Sequence, residues 1–181
     1  MPDTATRPEA TEYAPYYEKY VSLVPAGDIV HTLSHQHVAT RALLASIPED
    51  AAFARYEPGK WSIKEVVGHL IDSERVFAYR ALRFARGDRT PLPGFEQDDY
   101  VRAADFDARP LGDLTAEFLH VRASTVSLYQ SLEEEAWRRC GAANSNEVSV
   151  RALAYIIAGH EAHHVNILRE RYLRVRDGDE G

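Results

Sequence analysis

His160-Glu161-Ala162-His163-His164 lies inside the apolar stretch from Leu153 to Leu168. Two imidazoles four residues apart share one helix face, and neutral imidazole is the commonest protein ligand for zinc and similar ions, so the spacing points to metal chemistry. At about 100° per residue, Leu153, Ile156, Ile157, Ile167 and Leu168 define one apolar face; His160 and His164 fall at its centre and His163 roughly 80° away, at the rim. A buried polar group left unsatisfied costs about 1–3 kcal/mol. The central pair therefore needs either one shared ion or two core hydrogen bonds.

A third ligand has to come from another helix facing the same core. His69, within Gly68-His69-Leu70-Ile71-Asp72-Ser73-Glu74, lies at the border between an apolar face and a stripe holding Ser73, Val76 and Arg80, where an open metal site would face a cleft. His37, on the apolar face of an earlier helix with Leu33 and Leu44, is the competing candidate. His31 and His35 repeat the four-residue spacing but project away from that face, and His120 likewise points off its helix's apolar side.

Two other metal motifs are matched only in part. The segment satisfies the letter of His-Glu-x-x-His, yet the downstream Gly and third His of the extended zinc-peptidase pattern are replaced by Ile167 and Glu170. Glu117 with His120 and Glu161 with His164 imitate the Glu-x-x-His pairs of di-iron bundles, but Glu117 and His120 project outward and the first helix has no Glu in its body.

Groups beside the histidines suggest further roles. Glu161 follows a candidate ligand directly and is a candidate general base, or else a solvated or ligand-orienting carboxylate. Asp72 and Glu74 flank His69 and could orient an imidazole or simply be surface charges. Arg80 and Arg83 are candidates to hold a substrate carboxylate, since guanidinium binds carboxylates bidentately, or to pair with nearby acidic residues. The Pro91–Tyr100 loop, with Phe95 and Gln97, could cover the mouth of the site. Cys140, in the linker Arg138-Arg139-Cys140-Gly141, is incidental to this chemistry.

The elements that position these residues read as helices, with little strand pattern. An irregular arm over residues 1–27 carries Pro2, Pro8, Pro15 and Pro25, with Tyr13, Tyr16, Tyr17 and Tyr20 available to anchor it. Asp28 caps a helix ending before Pro48. Ser62-Ile63-Lys64-Glu65 is a capping box, with Trp61 and Val66 as a hydrophobic staple, for a helix running to Arg86 and stopped by Gly87. A third helix begins near Pro110 and runs to about Leu132, and a fourth follows Ser149 and ends near Arg174. The Pro-, Gly- and Asp-rich stretch between the second and third is too long for a tight helical hairpin. The expected architecture is thus an all-α four-helix bundle over residues 28–176 with a long crossover between helices 2 and 3, followed by a short flexible tail over 177–181.

Composition narrows the function. With 181 residues and 45% hydrophobic content the chain fills one core, and its formal charge of −7 disfavours a nucleic-acid surface. One cysteine excludes an intramolecular disulfide and any multi-cysteine zinc site. No apolar run reaches the roughly 18 residues of a membrane span and no apolar signal core stands near Met1, so the expectation is no membrane association and a cytoplasmic location.

The motif Trp61-Ser62-Ile63-Lys64-Glu65-Val66-Val67-Gly68-His69-Leu70-Ile71-Asp72-Ser73-Glu74, the helix end Ala85-Arg86-Gly87-Asp88, and Gly159-His160-Glu161-Ala162-His163-His164 together resemble the DinB-like (damage-inducible) superfamily over about Asp28–Leu173. That resemblance implies a bundle holding a divalent metal by one histidine on helix 2 and a His-x-x-x-His pair on helix 4, here His69, His160 and His164. Relatives of this kind include thiol S-transferases using bacillithiol, mycothiol or glutathione, and maleylpyruvate isomerases. The expectation is a metal-dependent enzyme, with zinc or nickel as the ion, a low-molecular-weight thiol as co-substrate and a small electrophile as acceptor. Metal-dependent hydrolysis is the alternative, as is a non-enzymatic homodimerising module with a structural metal.

Overall fold

A computed structural model of the chain describes residues 6–173; the expected tail over 177–181 lies outside the described residues. Seven helices and one hairpin follow in order: α1 (Glu18–Val21), α2 (Ile29–Ala45), α3 (Ile63–Ala85), α4 (Gln97–Ala104), α5 (Leu111–Gln130), α6 (Glu134–Trp137), β1 (Cys140–Ala143), β2 (Asn146–Ser149) and α7 (Val150–Ile167). The long helices α2, α3, α5 and α7 form the four-helix bundle: α3 packs on α5 and α7, and α2 packs on the same two.

Local chemistry sets the ends of these helices. Asp28 accepts from the backbone N–H groups of Val30 and His31, and Ser149 accepts from that of Ala152. Ser62 accepts from Glu65 N while Glu65 Oε2 accepts from Ser62 N, two orphan donors satisfied reciprocally. At the far end of α3 Gly87 takes φ +79°, its N–H bonds Phe84 O, and Asp88 N–H bonds Arg83 O. This paired closure needs a left-handed residue, which glycine enters without steric cost. Beyond α7 the chain winds into a wider π turn over Leu168–Leu173.

Two apolar clusters occupy opposite ends of the bundle. One joins Leu33, Phe77, Tyr129 and Ile157. The other joins Leu44, Leu70, Phe118 and Leu168. Along α2 and α7 the chain passes from the first cluster to the second, whereas along α3 and α5 it passes from the second to the first. Helices α3 and α5 are therefore parallel, and the crossover 86–110 carries the chain back along the bundle between them. Ser62 Oγ, at the start of α3, meets Asp107 Oδ1 just before α5 at 2.5 Å, which marks the return. Between the clusters runs a buried polar layer: Thr40 on α2, His69, Ser73 and Glu74 on α3, Arg122 on α5, and His160, Glu161 and His164 on α7.

Three segments expected to be irregular are ordered. The arm contains 3-10 turns at Ala10–Glu12 and Pro15–Tyr17 before α1. Arg7 donates to the carbonyls of Val21 and Val24, and Glu12 pairs with Arg151 and accepts from Ser149. The crossover holds α4. The linker around Cys140 is an antiparallel hairpin, Cys140 opposite Ser149 and Ala143 opposite Asn146, turned by Asn144 and Ser145 at φ 50° and 62°. Two successive left-handed residues make the tight turn whose twist matches that of the flanking strands. Leu92 of the crossover bonds to Ala142 O and to Asn144 N, tying the crossover to the hairpin.

Candidate metal centre

The polar layer brings three histidines together. His69, His160 and His164 are buried, and one ring nitrogen from each lies within 4.8 Å of the others. His69 Nε2 stands 3.0 Å from His160 Nε2. Two nitrogens each about 2.1 Å from one tetrahedral ion would be roughly 3.4 Å apart, so little ring movement separates this arrangement from a coordinated one. Ser73 Oγ sits 3.3 Å from His69 Nδ1, where it can accept that nitrogen's proton and leave the Nε2 lone pair directed at the cluster. Burial pushes His69 down to about 4, with His163 adding to the effect. Burial also pushes His160 and His164 well below the ordinary imidazole value, helped by the neighbouring histidines. All three are thus neutral at pH 7, the form that ligates a cation. The donor set, its burial and its convergence fit a divalent ion. Among the described residues no fourth His, Cys, Asp or Glu joins the trio.

Each surrounding element adds a wall. Trp61 lies against His69, ring centroids 4.7 Å apart, and Tyr20 meets His160 and His163 edge-on at 5.2 and 5.3 Å. Gly159 permits this last contact: a Cβ there would come within 2.0 Å of Tyr20 O. A cavity of about 370 Å³ opens on His69 and His160 and is lined by Tyr17 of the arm, Phe77 and Arg80 of α3, Phe95 of the crossover and Asn144 of the hairpin, among others. The segments read as arm, loop and linker are the walls of the cleft.

The remaining sequence candidates are sorted by this geometry. His163 is half-buried at the rim. His37 stays outside the trio, its Nδ1 buried without a hydrogen-bond partner, and His120 is exposed on α5. His31 and His35 stack on each other near the surface at 3.9 Å. Arg80 lines the cleft, but Arg83 pairs with Asp88 and Tyr79 outside it. Glu117 pairs with Arg75 and Arg109.

Glu161 is neither solvated nor aimed at the cleft. It is buried, accepts from Thr40 Oγ1 and from Arg122 Nη1 at 2.6 Å, and Arg122 in turn makes a bidentate pair with Glu74 at 2.8 and 2.7 Å. Burial raises the Glu161 carboxyl, opposed by Arg122 and Thr40. The sequence places Ser73 beside His69 and Tyr20 in the arm but gives neither a role at the ion, and Arg122 is not singled out. Ser73 was detectable as the residue one turn after His69, and Arg122 as a charge on the face that carries Phe118, Thr125 and Tyr129.

The family model of the DinB superfamily matches residues 32–168. The chain belongs to the DinB superfamily. A Geobacillus thermodenitrificans protein provisionally named a metal-dependent hydrolase is 26% identical over 130 residues, 70% of this chain and 72% of its own length. YfiT from Bacillus subtilis, described as a metal-dependent hydrolase on provisional grounds and as having an unusual four-helix bundle topology, superposes with TM-score 0.69 at 14% identity over 93% of each chain. A mycothiol-dependent maleylpyruvate isomerase superposes with TM-score 0.60 at 14% identity over 80% of this chain and 61% of its own. Both structural likenesses establish the shared fold. No helix among the described residues is long and apolar enough to cross a membrane.

Proposed function

We propose that this protein is a divalent-metal-dependent enzyme in which His69, His160 and His164 hold one ion, zinc or nickel, and the cleft presents an external thiol for transfer to a small electrophile. When bound, such an ion supplies Lewis acidity and eases proton loss from a thiol or water at its remaining positions. The observation that carries the reading is the open trio: three convergent imidazoles, no fourth protein ligand among the described residues, and a cleft on two of the three. A purely structural zinc site closes with four protein ligands.

The chain's own groups then have definable tasks. Ser73 holds the His69 ring, and Tyr17, Phe77 and Phe95 exclude water from the cleft. Metal-assisted hydrolysis is the second reading, favoured by the name of the Geobacillus relative. A thiol is preferred for a physical reason: even before coordination its proton is far easier to lose than that of free water, so it has less need of a general base. The carboxylate adjacent to a ligand, Glu161, is committed to Arg122 and Thr40. A cytoplasmic location, where small thiols stay reduced, suits this chemistry.

Metal analysis of protein purified without chelator tests the assignment. About one divalent ion per chain is expected, lost in His160→Ala and His164→Ala and retained in His163→Ala. His69→Ala should weaken binding more than His37→Ala; full occupancy in both His160→Ala and His164→Ala would overturn the site. For the reaction, the metal-loaded protein should conjugate small thiols to a haloarene or epoxide, and cobalt-substituted protein should change its spectrum on thiol addition. If several biological thiols gave neither signal while an ester or amide was cleaved, hydrolysis would replace thiol transfer.

A further inference from the structure

The polar layer and the cleft each bury an arginine, and the two are treated differently. Arg122, 1% exposed, is matched by two carboxylates. Arg80, 4% exposed, has no carboxylate within 4.0 Å among the described residues; it donates to Pro93 O at 2.9 Å, has the Tyr17 phenol close enough to act on its charge, and lies over the rings of Phe77 and Phe95 at 5.8 and 6.0 Å. Guanidinium does not shed its proton in proteins, and the desolvation of a buried ion costs several kcal/mol unless charge or hydrogen bonds repay it. A neutral carbonyl, a phenol and two ring faces repay it in part. Glu96 and Asp98 also line the cavity but are exposed at its mouth, where water and salt screen them.

We propose that Arg80 is the anion-recognition residue of the cleft, so that the ligand carries a carboxylate at one end and its metal-directed group at the other. The second half of that statement rests on the metal reading above; the first does not. His69 and Arg80 lie on the same helix and line the same cavity. Their separation of eleven residues puts the Cα atoms about 16 Å apart. Both side chains lean toward the N-terminus, but the Arg80 side chain is the longer, so it closes part of that distance and the gap to be spanned is on the order of 10 Å or somewhat more. The ligand is therefore elongated, its carboxylate received by the free donors of Arg80 and its middle by Tyr17, Phe77 and Phe95. A bare two- or three-carbon acid is too short to reach both ends.

Calorimetric titration with ω-mercapto acids from mercaptoacetate to mercaptooctanoate, each beside its primary amide, tests the proposal. In metal-loaded protein the acid should bind about tenfold or more tightly than the amide near the long end of the series, the effect of a charge-assisted hydrogen bond. Arg80→Gln should bring that ratio to about one without changing metal content or amide affinity, and Arg80→Lys should restore part of it. Octanoate against octanamide on chelated protein isolates the anion end, because neither probe carries sulfur. Equal acid and amide affinity in the unmodified protein, or a ratio undiminished in Arg80→Gln, would overturn the assignment, as would failure of every probe to bind. Should Arg80→Gln not fold, the Arg80→Lys ratio decides. Affinity unchanged by S-methylation of the probes would count against the metal-thiol reading and leave Arg80 in place.

Discussion

Replacing Arg122 by Met leaves Glu74 and Glu161 facing each other in the bundle core without their guanidinium. All four groups in this network, Thr40, Glu74, Arg122 and Glu161, are at most 4% exposed, so water offers little compensation. The substitution removes a bidentate pair to Glu74 and a third charge-assisted bond to Glu161. Breaking a buried pair by deleting one partner costs about 3–5 kcal/mol, a large share of the 5–15 kcal/mol typical of a folded domain. Glu161→Gln should cost less, about 1–3 kcal/mol, because it loses a charge-assisted bond but leaves Arg122 balanced by Glu74. Replacing all three charged groups by Met or Leu should recover much of the loss, since a packed apolar substitute escapes the desolvation cost. Urea unfolding of metal-saturated protein, followed by the fluorescence of Trp61 and Trp137, measures each variant. Arg122→Met within about 1 kcal/mol of the unmodified protein would refute the buried-network reasoning. Glu161→Gln that kept its stability and metal but lost all activity would restore Glu161 as a base.

Two further expectations follow from the same geometry. In chelated protein His69 stays neutral down to about pH 4, whereas the unfolded chain protonates near 6.5. The unfolded state then binds more protons, so stability is complete above pH 6.5 and falls toward pH 4, by on the order of 3 kcal/mol for His69 alone. His160 and His164 act in the same direction, and a flat stability profile between pH 7.5 and 5 would contradict their burial. Gly159→Ala drives a methyl into Tyr20 O, backbone against backbone, and should cost at least about 1–3 kcal/mol while freeing the arm. Faster proteolysis of the segment around Tyr16 is the expected sign; unchanged stability and cleavage would show that the arm's approach to α7 is dispensable.

Much of the bundle was legible in the chain because the signals are local. Asp28, Ser62 with Glu65, Gly87 and Ser149 act on backbone groups within four residues, so the sequence alone locates the helix boundaries they cap. Helical periodicity placed His160 and His164 on one face and His163 at its rim, because 3.6 residues per turn is a property of the backbone. The long interval between Gly87 and Pro110 already implied that the chain returns along the bundle.

What lay outside that reach is what depends on contacts between distant segments. The hairpin turn at Asn144-Ser145 lacks the glycine that usually advertises two left-handed residues, and its strands are short; pairing with Leu92 contributes from outside the hairpin. The arm looks irregular because its prolines interrupt periodicity, yet Arg7, Glu12 and Tyr20 fasten it to α1, α7 and the histidines. Glu161 and Arg80 show the limit most clearly. Each is a charged residue beside an apolar face: helical projection puts Glu161 well off the centre of its stripe and Arg80 on the stripe that borders the apolar face. Only the tertiary structure supplies the partner that decides the outcome: Arg122, from a helix 39 positions away in sequence, takes Glu161 into the core, while no carboxylate among the described residues meets Arg80, which is left facing the cleft. Sequence periodicity determines the face of a helix on which a charge lies, and the fate of that charge depends on what the neighbouring element brings against it.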